Sequence, residues 1–187
     1  MQGSDNQRRC GLSLQSVIRL VRHLTLPPWY VTRVLPLSLR RRLKTLISVS
    51  EAQHLAELRL VAEADLPLAS LFQQQSSRQR ALELFAQLGV WDTEHNSGVL
   101  IYLQLLDRRV EIVADRGIHA RVGQPFWDAV CLRMEAAFQR GDFESGLQQA
   151  LAEISSALVA HFPVQNTLAK AACSHNENEL SDEILVL

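Results

Sequence analysis

Two polar stretches stand out for what their residues can do together. The first is Trp91-Asp92-Thr93-Glu94-His95-Asn96, and the second is Asp115-Arg116-Gly117-Ile118-His119. A hard cation such as calcium binds through several oxygens, so carboxylates and amide oxygens gathered on a loop are what it requires. Imidazoles in the same place favour zinc or manganese. The candidate metal ligands are therefore Asp92, Glu94, His95 and Asp115, with Thr93 and Asn96 as neighbouring polar groups. Arg116 and His119 add the positive charge that clamps an anion, and a cation beside them would polarise a phosphate ester. The same residues have a plainer use. Asp92, Thr93 and Asn96 favour turns, and Asp115-Arg116-Gly117 suits the end of a strand. Both readings stand at this level. The chain carries no GxGxxG, phosphate-binding loop, HExxH or GxSxG pattern, so nothing points to an organic cofactor.

The two stretches meet only if the chain around them folds as a sheet. Residues 99–106 are apolar apart from Gln104 and lack alternation, which predicts a strand covered on both faces. Asp107-Arg108 forms a turn, and residues 110–114 (VEIVA) return as a second strand, giving a hairpin. Upstream, residues 56–63 alternate enough to be a strand. Ser76 with Gln79 three residues on has the form of a capping box. It opens a helix that would bury Ala81, Leu82, Phe85 and Leu88 and stop at Gly89. Strand, helix, strand predicts a right-handed crossover with the two strands parallel. The start of the second strand and the end of the third then share one pole of the sheet. That pole would gather both stretches, with His54 and Glu57 near, and leave Asp107, Arg108 and Arg109 at the other.

Helices complete the architecture. Residues 37–54 place Leu39, Leu43, Leu46 and Ile47 on one face and keep Arg40, Arg41, Arg42 and Lys44 mostly off it. After the hairpin, Pro125 opens a helix with Trp127, Val130, Met134 and Phe138 inward. Gly141-Asp142 turns the chain, with Asp142 as the expected N-cap of a last helix over 143–161. That helix buries Leu147, Leu151, Ile154 and Leu158, and Pro163 ends it. The order predicts an α/β/α sandwich with a small mixed sheet, a βαβ crossover plus a hairpin, flanked by helices. Residues 1–35 read as a basic extension carrying a short amphipathic helix (Leu14, Val17, Ile18, Val21, Leu24). Residues 36–163 read as the domain, and 164–187 as a disordered polar and acidic tail whose apolar end, 184–187, is sticky.

Hydrophobic residues make up 47% of the chain, enough for a real core. Charge is divided unevenly along it. Residues 1–50 carry nine Arg/Lys and one acid, a net of +8, and the remaining ten Arg/Lys and 19 acids give −9. A basic front end on an acidic body suggests a partner, either a protein or an anionic membrane surface, reached through residues 1–50. No aromatics interleave with the Arg/Lys cluster, so nucleic acid is not indicated. Cys10, Cys131 and Cys173 are far apart, which fits a reducing compartment. Residues 12–24 are broken by Gln15, Arg19, Arg22 and His23 and do not read as a signal sequence. The expectation is a cytoplasmic protein, peripheral on the inner membrane face.

From about residue 36 to 163 the chain resembles the TPM domain family. The blocks that carry the resemblance are SEAQHLAELRLVAEADL, then RQRALELFAQLGVWDTEHNSGVLIYLQLLDRRVEIVADRGIHARVG, then MEAAFQRGDFESGLQQALAEISSALVAHFP. The middle block is the specific one, through Ala81, Phe85, Gly98-Val99-Leu100, Arg109 and Gly117. It looks most like a bacterial cytoplasmic subgroup without signal or membrane anchor. The resemblance implies an α/β sandwich. It also implies a choice of activities, since some members bind divalent metal through acidic residues, a plant member is described as an acid phosphatase, and others are accessory factors for membrane complexes. WDTEHN and Asp115 depart from the common family pattern at the pole of interest. The resulting expectation is a non-catalytic accessory module near membrane-associated machinery that binds a divalent cation. The alternative is a metal-assisted acid phosphatase acting on phosphomonoesters.

Overall fold

A computed structural model describes residues 29–64, 67, 75–93, 95–164 and 183–187. The amphipathic helix expected within 12–24, and Glu94 among the candidate ligands, lie outside these residues. The elements run α1 (Trp29–Val34), α2 (Leu37–Glu51), β1 (Glu57–Glu63), α3 (Ser77–Gln87), β2 (Gly98–Gln104) and β3 (Arg109–Ala114). They continue with α4 (Arg116–Val122), α5 (Gln124–Gln139), α6 (Phe143–His161) and β4 (Leu185–Val186). The sheet order is β3-β2-β1-β4. β1 and β2 are parallel, with Glu57 opposite Gly98 and Glu63 opposite Gln104. β2 and β3 are antiparallel, with Val99 opposite Ala114. The parallel pair with a helix between its strands, and the hairpin, are both as the patterning predicts.

All seven residues of β2 are buried, because helices cover both faces of the sheet. On one face Leu58, Leu60 and Ala62 of β1 and Val99, Ile101 and Leu103 of β2 join Val110 and Ile112 of β3 against α2, α5 and α6. On the other, Val61, Leu100, Tyr102 and Val113 pack on Ala81 and Leu84 of α3. The alternation of side chains along each strand sorts them to the two faces. The capping box at Ser76 forms in full, with Ser76 and Gln79 bonding reciprocally. On α5 and α6 the expected inward residues are the buried ones.

Several local expectations are corrected. Leu46 is exposed on α2, and Ser50 joins Leu39, Leu43 and Ile47 in the buried stripe. On α3 the inward residue is Leu84, with Leu82 exposed. Neighbouring residues are about 100° apart around a helix, so Leu46 and Leu82 each miss the core by one step. Asp142 stands at the N-cap of α6, but its side chain makes no capping bond. Helix α1 and helix α4 were not foreseen, and neither is β4, which lies inside the expected disordered tail. β4 adds a parallel edge strand to β1, with Val61 opposite Leu185 and the Leu187 N–H donating to the Ala62 carbonyl at 3.0 Å. Two residues are too few to show a period.

The other edge, β3, is closed by side chains. The Val110 N–H donates to Glu135 Oε1 at 3.2 Å, and the Ile112 carbonyl accepts from Arg78 at 2.6 Å. Occupied edge groups blunt the tendency of an open strand to pair with another chain.

Candidate functional site

The pole at the start of β2 is built on close backbone approaches. The Asp115 N–H donates to the Gly98 carbonyl at 2.9 Å, and the Glu57 N–H donates to the Ser97 carbonyl at 3.2 Å. These bonds bring the ends of β3, β2 and β1 together. Within the preceding loop, Thr93 Oγ1 accepts from the Ser97 N–H at 2.8 Å. Asn96 takes a positive φ of 50°, a conformation that asparagine tolerates better than most residues. Ser97 Oγ donates to the Leu55 carbonyl at 3.0 Å. Thr93 and Asn96 thus do the work of turn residues.

Gly117 joins the two predicted stretches. A Cβ on this residue would lie 2.6 Å from the Asn96 carbonyl oxygen and 2.9 Å from that of His95. The first turn of α4 therefore sits directly on the His95-Asn96 backbone, at a spacing open only to glycine. Read from sequence, Asp115-Arg116-Gly117 is a strand-ending turn; in the fold Asp115 is the N-cap of α4. Its Oδ1 accepts from the Arg116 N–H at 2.7 Å. Its Oδ2 is shielded from solvent and has no hydrogen-bond partner among the described residues.

The other predicted residues divide. Asp92 and His95 are exposed on the loop, and Arg116 and His119 are exposed on α4. The backbone of Glu57 is at this pole, and its side chain is buried. His54 is drawn elsewhere. Among the described residues, no three His, Cys, Asp or Glu side chains stand close enough to hold a metal by themselves. The pole therefore offers one solvent-shielded carboxylate oxygen on Asp115, a loop backbone packed on Gly117, and exposed charged groups.

Two polar clusters escaped the sequence reading. In the first, His54 is buried between α2 and α6. Its Nδ1 accepts from the Ala56 N–H at 3.2 Å, and its Nε2 is 2.8 Å from Ser50 Oγ. Ser50 donates to Ser155 Oγ at 2.6 Å, and Ser155 donates to the Leu151 carbonyl at 2.6 Å. With Nδ1 occupied as acceptor, Nε2 carries the proton and donates it to Ser50. The imidazole cannot then take a proton from that hydroxyl, so the pair is not an activated nucleophile. Burial pushes the His54 pKa down to about 4. Helix α2 ends at Glu51, short of the expected residue 54, so His54 lies beyond it, and the Ser50-x-x-x-His54 spacing across that end is the only local signal.

In the second cluster, at the far end of β1, Glu63 is 2% exposed. Arg80 of α3 donates to both of its carboxylate oxygens, from Nη2 at 2.8 Å and from Nε at 3.2 Å. The Tyr102 hydroxyl donates to it at 2.6 Å. The bond to Glu63 raises the pKa of Arg80. Burial, then the bond to Glu63, raises that of Tyr102. The signal here was one charged residue on the α3-facing side of a strand, which only the register with β2 pairs with Tyr102.

A family profile described as the TPM domain matches residues 31–157. The chain belongs to the TPM domain family. Solved structures agree on the fold of this TPM domain. It is similar to the NMR structure of the BA42 protein from the psychrophilic bacterium Bizionia argentinensis. The two are 24% identical with a TM-score of 0.66, over 80% of this chain and 93% of that one. It is also similar to the N-terminal domain of a P. gingivalis protein, at 21% identity and a TM-score of 0.52, over 71% of this chain and 83% of that one. No curated protein matches significantly.

Proposed function

We propose that this TPM domain is a non-catalytic accessory module that binds a hard divalent cation, calcium first, at the Asp115 pole. The observation that carries the reading is Asp115 Oδ2, a carboxylate oxygen hidden from water with no donor to meet it. An ionised oxygen left so is costly unless a cation completes it. Two residues on, Gly117 holds the first turn of α4 against the carbonyl oxygens of His95 and Asn96. Oxygen donors suit calcium or magnesium better than zinc. Asp115 would hold the ion, with Asp92 and Glu94 as further carboxylates from the loop. Ligands drawn from an exposed loop favour a weak, exchangeable site rather than a structural one.

A second reading is a metal-assisted acid phosphatase, favoured by the spacing of Arg116 and His119. They are three residues apart on α4 and both exposed, so they lie on one side of the helix next to Asp115. There they would clamp the oxygens of a phosphomonoester while the cation lowered the charge on the ester. The exposed setting gives less electrostatic advantage than a closed site, which is why binding is preferred to turnover.

Calcium titration by thermal unfolding tests the proposal, because an ion that binds only the folded state must raise the midpoint. The wild type should shift upward with millimolar calcium, and Asp115→Asn should abolish the shift without lowering the midpoint in chelator. No shift in the wild type, or an equal shift in the variant, rejects the site. Turnover of a generic phosphomonoester that is lost in both Asp115→Asn and Arg116→Gln would favour the second reading.

A further inference from the structure

The outer surface of α1 and α2 carries both exposed apolar side chains and exposed cations. Trp29, Leu37, Leu46 and Val49 are all large apolar side chains between 41% and 57% exposed. They share that surface with Arg33, Arg41, Arg42 and Lys44.

Helix α2 buries the stripe Leu39, Leu43, Ile47 and Ser50. Two stripes are left outward, Leu37-Arg41-Thr45-Ser48 and Arg42-Leu46-Val49, each with one cation next to an apolar residue. On α1, Trp29 is exposed as well, with the Arg33 guanidinium 5.9 Å from its ring centroid. Residues 29–51 hold five Arg/Lys and one acid, in a chain whose net charge is −1. Among the described residues, the carboxylates paired with these cations are Glu144, 2.6 Å from Arg42, and Glu183, 3.4 Å from Lys44. Both pairs are widely exposed, so they hold the cations only weakly.

No helix among the described residues is long and apolar enough to cross a membrane. We infer that the α1–α2 face docks on an anionic lipid bilayer, lying on the surface with Trp29 and Leu37 dipped into the headgroup boundary. Apolar anchors interspersed with Arg/Lys are the composition such binding needs. A tryptophan sits well at that depth because its ring is apolar and its N–H finds partners there. The charge is complementary to acidic headgroups, each nearby Arg or Lys contributing about 1 kcal/mol. The inference gives the accessory reading its partner. It concerns a different surface from Asp115, so the vesicle and calcium experiments can fail independently.

Co-sedimentation of the full chain tests it, using vesicles of phosphatidylcholine alone and vesicles with about a third phosphatidylglycerol. The chain should pellet only with the anionic vesicles, and less as salt rises. Arg41→Gln with Arg42→Gln should weaken binding about 25-fold, the loss of two cations at about fivefold each. Trp29→Ser with Leu37→Ser should weaken it by about tenfold or more, with the calcium response unchanged. All four side chains are exposed, so both variants should keep the wild-type thermal midpoint. Several results would overturn the inference: no binding to anionic vesicles, equal binding to neutral ones, or retention of a polynucleotide instead. Wild-type binding by both double variants would move the contact off this face and overturn it as well.

Discussion

The two ends of the sheet treat a buried carboxylate, Glu63, and a half-buried one, Asp115, in opposite ways. At the far end of β1, both Glu63 oxygens are taken by Arg80, with Tyr102 donating to one of them. At the start of β2, Asp115 spends one oxygen on capping α4 and leaves the other shielded and unmatched. A buried charge with all its partners in place is a structural device, while one with a missing partner is a place for something else to bind. Position agrees with this. Arg80 comes from an eleven-residue capped helix packed on the sheet, whereas the groups around Asp115 come from a loop and a seven-residue helix.

The sharpest way to break the closed end is Glu63→Ala. It leaves the Arg80 guanidinium, 13% exposed at its side chain, and the Tyr102 hydroxyl without their acceptor. Loss of one partner from a buried ion pair costs roughly 3–5 kcal/mol. Urea unfolding should show a loss near the lower figure, because Glu83 still offers Arg80 a carboxylate at 3.4 Å. A loss below about 1 kcal/mol would mean that the network is no tighter than a surface pair. Calcium binding should be unaffected, since the site lies at the opposite end.

The His54 cluster is also closed, and its test is pH. The pKa of His54 is lowered on folding, from 6.5 to about 4, so the unfolded chain binds the proton more readily. Its contribution to stability is therefore complete above about pH 6.5 and is lost as the pH falls towards 4. The shift corresponds to roughly 3 kcal/mol. Stability measured from pH 7.5 down to 5, where carboxylates contribute little, should fall in the wild type and stay nearly level in His54→Gln. Parallel profiles would show that the imidazole is not buried in its neutral form.

These clusters also mark where sequence reading stops. Periodicity found the parallel strand pair, the hairpin and, Leu46 and Leu82 apart, the inward faces of α2, α3, α5 and α6, because apolar burial recurs along a single element. It placed WDTEHN beside DRGIH, which the Gly117 contact bears out. It missed α4 because a helix with Ile118 as its one buried residue has no stripe to detect. It missed β4 because two residues have no period, and their partner is more than a hundred positions away. Glu63 with Tyr102 is a neighbouring-strand relation, 39 residues apart, visible only once the register is known. His54 was read as part of the pole, since nothing local to it reveals Ser155 on a helix 105 residues beyond Ser50.

Gly117→Ala offers the finest separation of the two ends. The added methyl would stand 2.6 Å from the Asn96 carbonyl oxygen, and the obstruction is backbone, which cannot rotate away. Either α4 or the 92–97 loop must move. Overpacking of this kind costs typically about 1–3 kcal/mol. The loop is exposed and ends in a strained Asn96, so it should yield first, and the loss should fall near the bottom of that range. Asp115 would keep its own helix cap in that event, but the His95 and Asn96 carbonyls would leave it. The variant should therefore lose most of its calcium response while unfolding only slightly more easily than the wild type. The Glu63 variant should show the reverse, with a large loss of stability and an intact response. If Gly117→Ala keeps the calcium shift, the loop carbonyls are not part of the site, and the carboxylates alone must account for any ion held there.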